Sequence, residues 1–540
     1  MRKIALLLLL SSSVLFAENP PPKLILQLVV DQLRGDLIQQ YHSAFGADGF
    51  NYLLNHSINF QNAHHPHANT VTCVGHATIA TGSYPYLHGI IANDWFNRDT
   101  QKETYCVEDL QSKILPTTRT KIELPGRSPR NVLSSTLSDE IILAKKGRAF
   151  GVALKDRAAI TLAGHAGKAF WFDKENGGFI TSTHYYQSYP AWVNQWDSQY
   201  QPKNETWALS QSNSAYRFAS APRFKNRFPE FGETFPHHTG EPGNPLYYKY
   251  LSMTPNADEL TANFAERLLS EEKLGQSPNQ TDYLAISFST VDTVGHQFGP
   301  NSQESEDALR RLDKTLAKLL KAIDEKTGLQ NTLIILTADH GVTDAPAYLH
   351  SQGIHETALP DTAFLRQVIE STLQKNFNLP PATLQSITLP YIYLDHQLLA
   401  KQSYTTAQIS QKLADNLNQH PGVFKAYSLP VADIEKNWLS SKVDKMAFPN
   451  RSGDVYIVPA PYQSPMDESV RVDHGTPWNY DSFVPLLFVN PAFKARRILT
   501  PASTTDIAAT VAAILEIKAP SASVGQPLQA VVDFYENNDK

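Results

Sequence analysis

The sequence predicts an α/β protein, with a largely parallel sheet flanked by helices and two large insertions forming a cap. Three observations predict it. Nearly continuous apolar runs recur along the chain, as strands buried on both faces of a parallel sheet require. Helical stretches with apolar residues at 3–4 spacing alternate with them, the pattern of strand–helix–strand units. Most of the runs end at Asp, His, Lys or Arg, and in open α/β sheets functional residues gather beyond the carboxyl ends of the strands.

The 540 residues suffice for one large domain with insertions. A hydrophobic content of 41% with 19% charged residues is that of an ordinary globular protein. The net charge of −6 provides no basic footprint, which excludes a nucleic-acid scaffold. At the N-terminus Arg2 and Lys3 precede the apolar Ile4 to Leu10 and the more polar Ser11 to Ala17. This reads as an export signal over 1–17, cleaved after Ala17, and its apolar run is short for a bilayer span. No later segment has transmembrane length. The mature chain, 18–540, is expected to be a single exported domain, periplasmic or secreted, without membrane insertion.

Leu24 to Val30 reads as the first buried strand and ends at Asp31. Helical stretches such as Asp48 to Leu54 follow. Asn69 to Thr78 then enters a run of small residues that suits a tightly packed helix, closed by Gly82. Thr72 falls where loop becomes helix; its hydroxyl is either an N-cap or a nucleophile held at an anion-favouring helix end. Ala149 to Leu154 is the next strand and ends at Lys155-Asp156-Arg157. If the chain stays extended there, Lys155 and Arg157 share a face. From about 167 to 256 the pattern weakens into Trp-, Tyr-, Pro- and Asn-rich sequence, the first expected insertion. Tyr283 to Phe288 leads to Asp292. Glu306 to Glu325 is the clearest amphipathic helix, closed by Gly328. Leu333 to Leu336 ends at Asp339-His340-Gly341. A second insertion is expected over 361–465, after which Val484 to Val489 returns to the sheet. A last helix, Asp506 to Leu515, follows Thr504 and Thr505, both natural caps.

Asp292 and His296 stand four residues apart, Asp339-His340 are adjacent, and Asp473-His474 forms another such pair. Mixed carboxylate and imidazole donors suit Zn²⁺ or a similar ion. His64, His65 and His67 read as solvated loop histidines, and His76 and His88 as packing or supporting residues. The two cysteines, Cys73 and Cys106, are either one disulfide, as export favours, or two buried thiols.

Taken together, Val30-Asp31, Thr72-Cys73-Val74-Gly75-His76, Asn93-Asp94, Asp292-Thr293-Val294-Gly295-His296, Ala338-Asp339-His340-Gly341 and His474-Gly475 resemble the alkaline phosphatase superfamily. The likeness is strongest to its PafA-type, phosphate-irrepressible members, with the nucleotide pyrophosphatase/phosphodiesterases beside them, and runs in order through nearly the whole mature chain. It implies a two-zinc site: Asp292, His296 and His474 on one ion, and Asp31, Asp339, His340 and the Thr72 oxygen on the other. It implies Thr72 as the nucleophile of a covalent phospho-threonine intermediate and Asn93 as a donor to a phosphoryl oxygen. Lys155 and Arg157 would bind the same group, a feature of the monoesterase branch. The expected substrates are small-molecule phosphate monoesters and the expected state is a monomer. A phosphodiesterase on the same core is the alternative, and a non-catalytic zinc-dependent binding protein is a third reading. A sulfatase would need a Cys-x-Pro-x-Arg-like frame, which Cys73-Val74-Gly75-His76-Ala77 does not match.

Overall fold

Nine strands build the central sheet of the computed structural model, which describes residues 19–220, 228, 230–355, 360–432, 436–462 and 472–536. The expected export signal over 1–17 lies outside them, as do parts of both expected insertions. In chain order the strands are Leu24–Val30 (β1), Ser57–Phe60 (β2), Ala149–Ala153 (β3), Lys168–Phe172 (β4), Phe179–Ile180 (β5), Asp282–Phe288 (β6), Thr332–Thr337 (β7), Leu487–Val489 (β8) and Arg496–Ile498 (β9). Across the sheet they lie in the order β9-β2-β8-β7-β1-β6-β3-β4-β5. The five strands from β7 to β4 are mutually parallel. β8 runs antiparallel between β7 and β2, and β5 runs antiparallel to β4.

β1 is buried at every residue, because helices cover both faces of the sheet. These helices include Thr72–Thr81 (α1), Asp156–Ala163 (α2), Asn256–Glu271 (α3), Thr290–Phe298 (α4), Gln303–Lys326 (α5) and Asp506–Ile514 (α6). Leu24, Leu26, Leu28 and Val30 point to one face, where Phe264 and Leu268 of α3 and Leu309, Leu312 and Leu316 of α5 meet them. Ile25 and Val29 point to the other face, against Ile79 of α1 and Ile507 and Val511 of α6. The period of two along one strand thus serves two cores. α5 begins at a Ser302 side chain that accepts the Ser305 N–H, three residues before the expected start.

Three expectations change. The first insertion was expected to leave the sheet at about 167, but β4 and β5 extend the sheet there before the chain departs. The aromatic sequence of β4, Lys168–Phe172, lacks the aliphatic run by which the other buried strands were recognised. The run from Val484 to Val489 is broken at Pro485, which has no N–H for a ladder. Phe483–Val484 pairs with Ala63–His64 instead, and only Leu487–Val489 joins the main sheet, antiparallel to β7. Thr505 precedes α6 with helical backbone angles, so its hydroxyl does not cap; it donates to Ser503 Oγ.

The second insertion holds its own four-stranded antiparallel sheet, in the order Leu384–Thr388, Tyr391–Leu394, Val455–Pro459, Val423–Ser428. Helices Thr362–Phe377 and Thr406–Leu417 complete its core through Leu365, Ile369, Ile409 and Leu413. Arg98 ties this unit to the main body, donating to Asp454 Oδ2 at 2.8 Å and to the Leu394 carbonyl at 2.7 Å.

The cysteine alternatives resolve into a buried disulfide between Cys73, in the first turn of α1, and Cys106, 33 residues on. Closing a loop of that length restricts the unfolded chain by about 3–4 kcal/mol. The pair Cys73→Ala with Cys106→Ala should lower the unfolding free energy by about that amount in a denaturant titration. A loss below roughly 1 kcal/mol would show that the bridge is not a stability element.

Candidate active site

Four neighbouring parallel strands, β7, β1, β6 and β3, deliver their carboxyl ends to one edge of the sheet. Asp31 follows β1, Asp339 and His340 follow β7, Asp292 lies in the first turn of α4 after β6, and Lys155 precedes α2 after β3. All five are buried. Gly75 lets α1 lie against this edge: a Cβ there would stand 2.0 Å from the Asp339 carbonyl oxygen.

Thr72 is the first helical residue of α1, one position past Val71, whose extended backbone makes it the N-cap without a side-chain bond. The capping alternative for Thr72 therefore does not hold. Its hydroxyl is buried, and an Arg157 Nη2 donates to it at 3.3 Å. Lys155 and Arg157 do not share an extended face as expected. The chain turns from an extended Lys155 into α2 at Asp156, so strand alternation stops between them. They reach one region by different routes. Lys155 donates to Asp31 Oδ2 and Asp292 Oδ2, each at 2.6 Å, while Arg157 reaches Thr72. Asn93 accepts the Cys73 N–H on its Oδ1 at 3.0 Å, and its amide N–H pair has no protein acceptor among the described residues.

The ligand-type residues fall into two overlapping clusters, Asp292–His296–His474 and Asp31–Asp292–His340. Each histidine has its Nδ1 on a backbone carbonyl: His296 on Val472 at 2.7 Å, His474 on Thr70 at 2.8 Å, His340 on Gly341 at 3.0 Å. That fixes the tautomer and turns Nε2 inward, the arrangement of metal-ligating imidazoles. Asp31 Oδ1 and His340 Nε2 are buried with no hydrogen-bond partner among the described residues. Buried polar atoms are rarely left so, and together with three carboxylates facing one ammonium they fit two divalent cations. Asp339 stands at the margin of the second cluster. Its Oδ2 lies 3.4 Å from His340 Nε2 and 3.2 Å from His76 Nδ1, and its Oδ1 accepts the Gln32 N–H at 3.2 Å.

The charges are mutually tuned. Burial raises the Asp31 pKa well above the carboxylate range, helped by Asp292 and Asp339 and only partly offset by Lys155. Burial would raise Asp339 too, but His340 and His76 outweigh it and hold it low. Burial lowers His340 to about 4, and lowers His474 to about 3 with help from the neighbouring His340 and His296. Burial also acts to lower His296, but Asp292 at 3.1 Å overrides it and raises the group to about 9.

The histidines before Thr72 are not solvated as expected. His65 and His67 are fully buried, and His64 is half-buried against Asn62 and Phe483. His65 is a strut between the Ala338 carbonyl, 2.9 Å from its Nε2, and the Thr504 hydroxyl, 3.0 Å from its Nδ1. His76 supports the site, with Nδ1 2.8 Å from the Thr72 carbonyl and Nε2 2.9 Å from Ser287 Oγ. His88 packs beneath α1, 3.2 Å from Thr78 Oγ1. Sequence reasoning missed two supports. Gln32 donates its amide to Asp292 Oδ1 at 2.8 Å from a left-handed backbone with φ 68°. Tyr105 donates to Asp156 Oδ1 at 2.6 Å and receives Arg157 Nη1 at 3.4 Å, which aims the guanidinium. A polar residue after a strand-end Asp was the only signal for Gln32, and none marked Tyr105.

The chain is similar to known proteins over most of its length. The family model of type I phosphodiesterase/nucleotide pyrophosphatase matches residues 25–477. The alkaline phosphatase PhoV of Synechococcus elongatus is 34% identical over 521 residues, covering 94% of this chain and 92% of that protein. The alkaline phosphatase PafA of Elizabethkingia meningoseptica is 31% identical over 538 residues, covering 95% of each. A crystal structure of wild-type PafA superposes with a TM-score of 0.84 at 30% identity, over 95% of this chain and 99% of that one.

Gln32 links two of the three buried carboxylates, Asp292 and Asp339, and offers a test of the metal reading. Gln32→Gly removes the amide while easing the positive φ. It should weaken divalent-metal affinity by about 10–100-fold in chelator competition, with unfolding stability nearly unchanged. Unaltered affinity would mean that Gln32 does not orient the ligands.

Proposed function

The chain belongs to the type I phosphodiesterase/nucleotide pyrophosphatase family, within its PafA- and PhoV-type alkaline phosphatases, and is a phosphate-monoester hydrolase; we propose that it works through a covalent phospho-threonine at Thr72 over a two-zinc site. The observation that carries the reading is the Thr72 hydroxyl, buried at the start of α1, touched by Arg157 and set beside two clusters of ligand atoms. Zinc in the two clusters would supply Lewis-acid stabilisation to the attacking and leaving oxygens. An N, O donor set of imidazoles and carboxylates suits that ion.

The chain's own residues have distinct tasks. The Arg157 cation beside the hydroxyl favours the deprotonated Thr72 oxygen and would hold the equatorial phosphoryl oxygens as charge builds on them. Asn93, anchored through Oδ1 on the Cys73 N–H, offers its amide nitrogen to the same group. The α1 N-terminus adds partial positive charge. In the first displacement the bond from Thr72 Oγ to phosphorus forms while the ester P–O bond breaks and the alcohol leaves. In the second, water attacks the phospho-threonine, releases inorganic phosphate and regenerates the hydroxyl. Lys155, held by Asp31 and Asp292, is first of all the internal counter-ion of the acidic edge, so the phosphoryl contact rests chiefly on Arg157. A buried disulfide and the leader-like Arg2 to Ala17 support an oxidising, periplasmic or secreted setting.

Thr72→Ala should remove nearly all turnover with the fold intact, and Thr72→Ser should retain much of it. Acid quenching during turnover, followed by peptide mass spectrometry, should find phosphate on Thr72; phosphate on any other residue refutes the assignment.

Arg157 distinguishes the monoesterase from the diesterase reading. A monoester offers a dianionic phosphoryl group, whereas a diester carries one charge and a second ester group. Arg157→Ala should lower monoesterase kcat/KM by roughly 10²–10³-fold and diesterase activity much less. Equal losses would assign Arg157 to the fold or the metals, and a wild-type preference for diesters would favour the alternative.

A further inference from the structure

A second positive group stands beside this site without a partner. The hairpin joining β4 to β5 carries Lys174 at the wall of a cavity of about 240 Å³, which opens directly onto Lys155 and Arg157. The acidic groups around it are already committed. Asp156 accepts from the Tyr105 hydroxyl at 2.6 Å and from Arg127 Nε at 2.7 Å. Asp173 accepts the N–H groups of Glu175 and Asn176 and the Asn176 amide. Glu175 is exposed at the rim and makes no ion pair with Lys174. Lys155 is taken by Asp31 and Asp292. Of the four cations that line the cavity, Lys174 is the one with no hydrogen-bond or ion-pair partner among the described residues.

We propose that Lys174 and this cavity bind a second anionic group of the substrate, so that the enzyme favours small phosphate monoesters bearing a carboxylate or a further phosphate; this rests on the monoesterase reading above. A half-buried ammonium facing other cations is unfavourable until an anion arrives. Its pKa reflects that, lowered to about 8 by burial and by repulsion from Lys155 and Arg157. Trp171 and Ile180 form buried apolar walls, which strengthen an ionic contact made between them. The volume lies below the roughly 300–1,000 Å³ of pockets that enclose a drug-sized ligand. It admits an anionic head and a few carbons rather than a nucleoside. Because Arg157 lines the same cavity, one ligand can place its transferred phosphoryl group on Arg157 and its second charge on Lys174.

The test uses the metal-loaded enzyme, with release of inorganic phosphate as readout. One arm compares 2-phosphoglycerate with glycerol 2-phosphate, which differ by a carboxylate. The other compares fructose 1,6-bisphosphate with fructose 6-phosphate, which differ by a phosphate. In at least one arm, Lys174→Ala should lower the ratio of kcat/KM for the charged over the less charged ester by about tenfold or more, mainly through KM. Lys174→Arg should restore most of that ratio. The arm that responds identifies the anion. An unchanged ratio in both arms overturns the proposal, whether the variant lowers all esters equally, as a contact to the transferred phosphoryl group would, or lowers none. A wild-type enzyme inactive on all four esters would instead end the monoesterase reading, and the inference with it.

Discussion

Three buried carboxylates at the ends of three adjacent strands set the terms for the rest of the molecule. Asp31, Asp292 and Asp339 are withdrawn from water, where like charges about 4 Å apart repel by roughly 4 kcal/mol at an effective dielectric of about 20. No chain would hold them together for stability alone. The central sheet forces them together: β7, β1 and β6 are paired in parallel along their full lengths, and their ends cannot part without losing that ladder and two apolar cores. Lys155 relieves part of the repulsion, and the unpartnered Asp31 Oδ1 and His340 Nε2 beside it are atoms that cations would satisfy.

The supports around that edge follow from the same constraint. Gln32 takes a left-handed backbone to reach Asp292 and Asp339 at once. His76 spans from the Thr72 carbonyl to Asp339, so Thr72 and the acidic edge share one strut. On the far side of Thr72, the disulfide and the Asn93–Cys73 bond tie the first turn of α1 to the Asn93 segment. The hydroxyl is thus held from both directions, which is what an attacking oxygen needs if it is to lie in line with a departing one.

The sequence made the strand ends legible because strands buried on both faces must be continuous apolar runs. Leu24–Val30 reads unambiguously, and the Asp after it then stands at a carboxyl end. The same logic reached Asp292, Asp339 and His340. His474 was different, since no apolar run leads into it; it was visible as a pair with Asp473, and its role came only through the family pattern. Features set by tertiary neighbours stayed hidden. The burial of His65 depends on Ala338, just past β7, and Thr504, just before α6, which lie far away in sequence. The positive φ of Gln32 answers contacts to two distant carboxylates. The edge strands β4 and β5 are short and aromatic, and such runs are shared with loops. Lys155 and Arg157 were readable as a pair of cations, but their different partners follow from a helix that begins between them.

That difference gives the two cations separate surroundings. Lys155 points back into the acidic edge and belongs to the metal-holding side, where the sheet leaves little freedom to vary. Arg157 faces the other way, braced by Tyr105 and Asp156, and opens onto the cavity beneath the β4–β5 hairpin. The hairpin lies at the sheet's edge, paired on one side only, so changes in its turn disturb neither the parallel ladder nor the ligand set. In the proposed reading, the position of Lys174 on that turn lets substrate preference change with one side chain, while Thr72 stays set by residues that the central strands hold fixed.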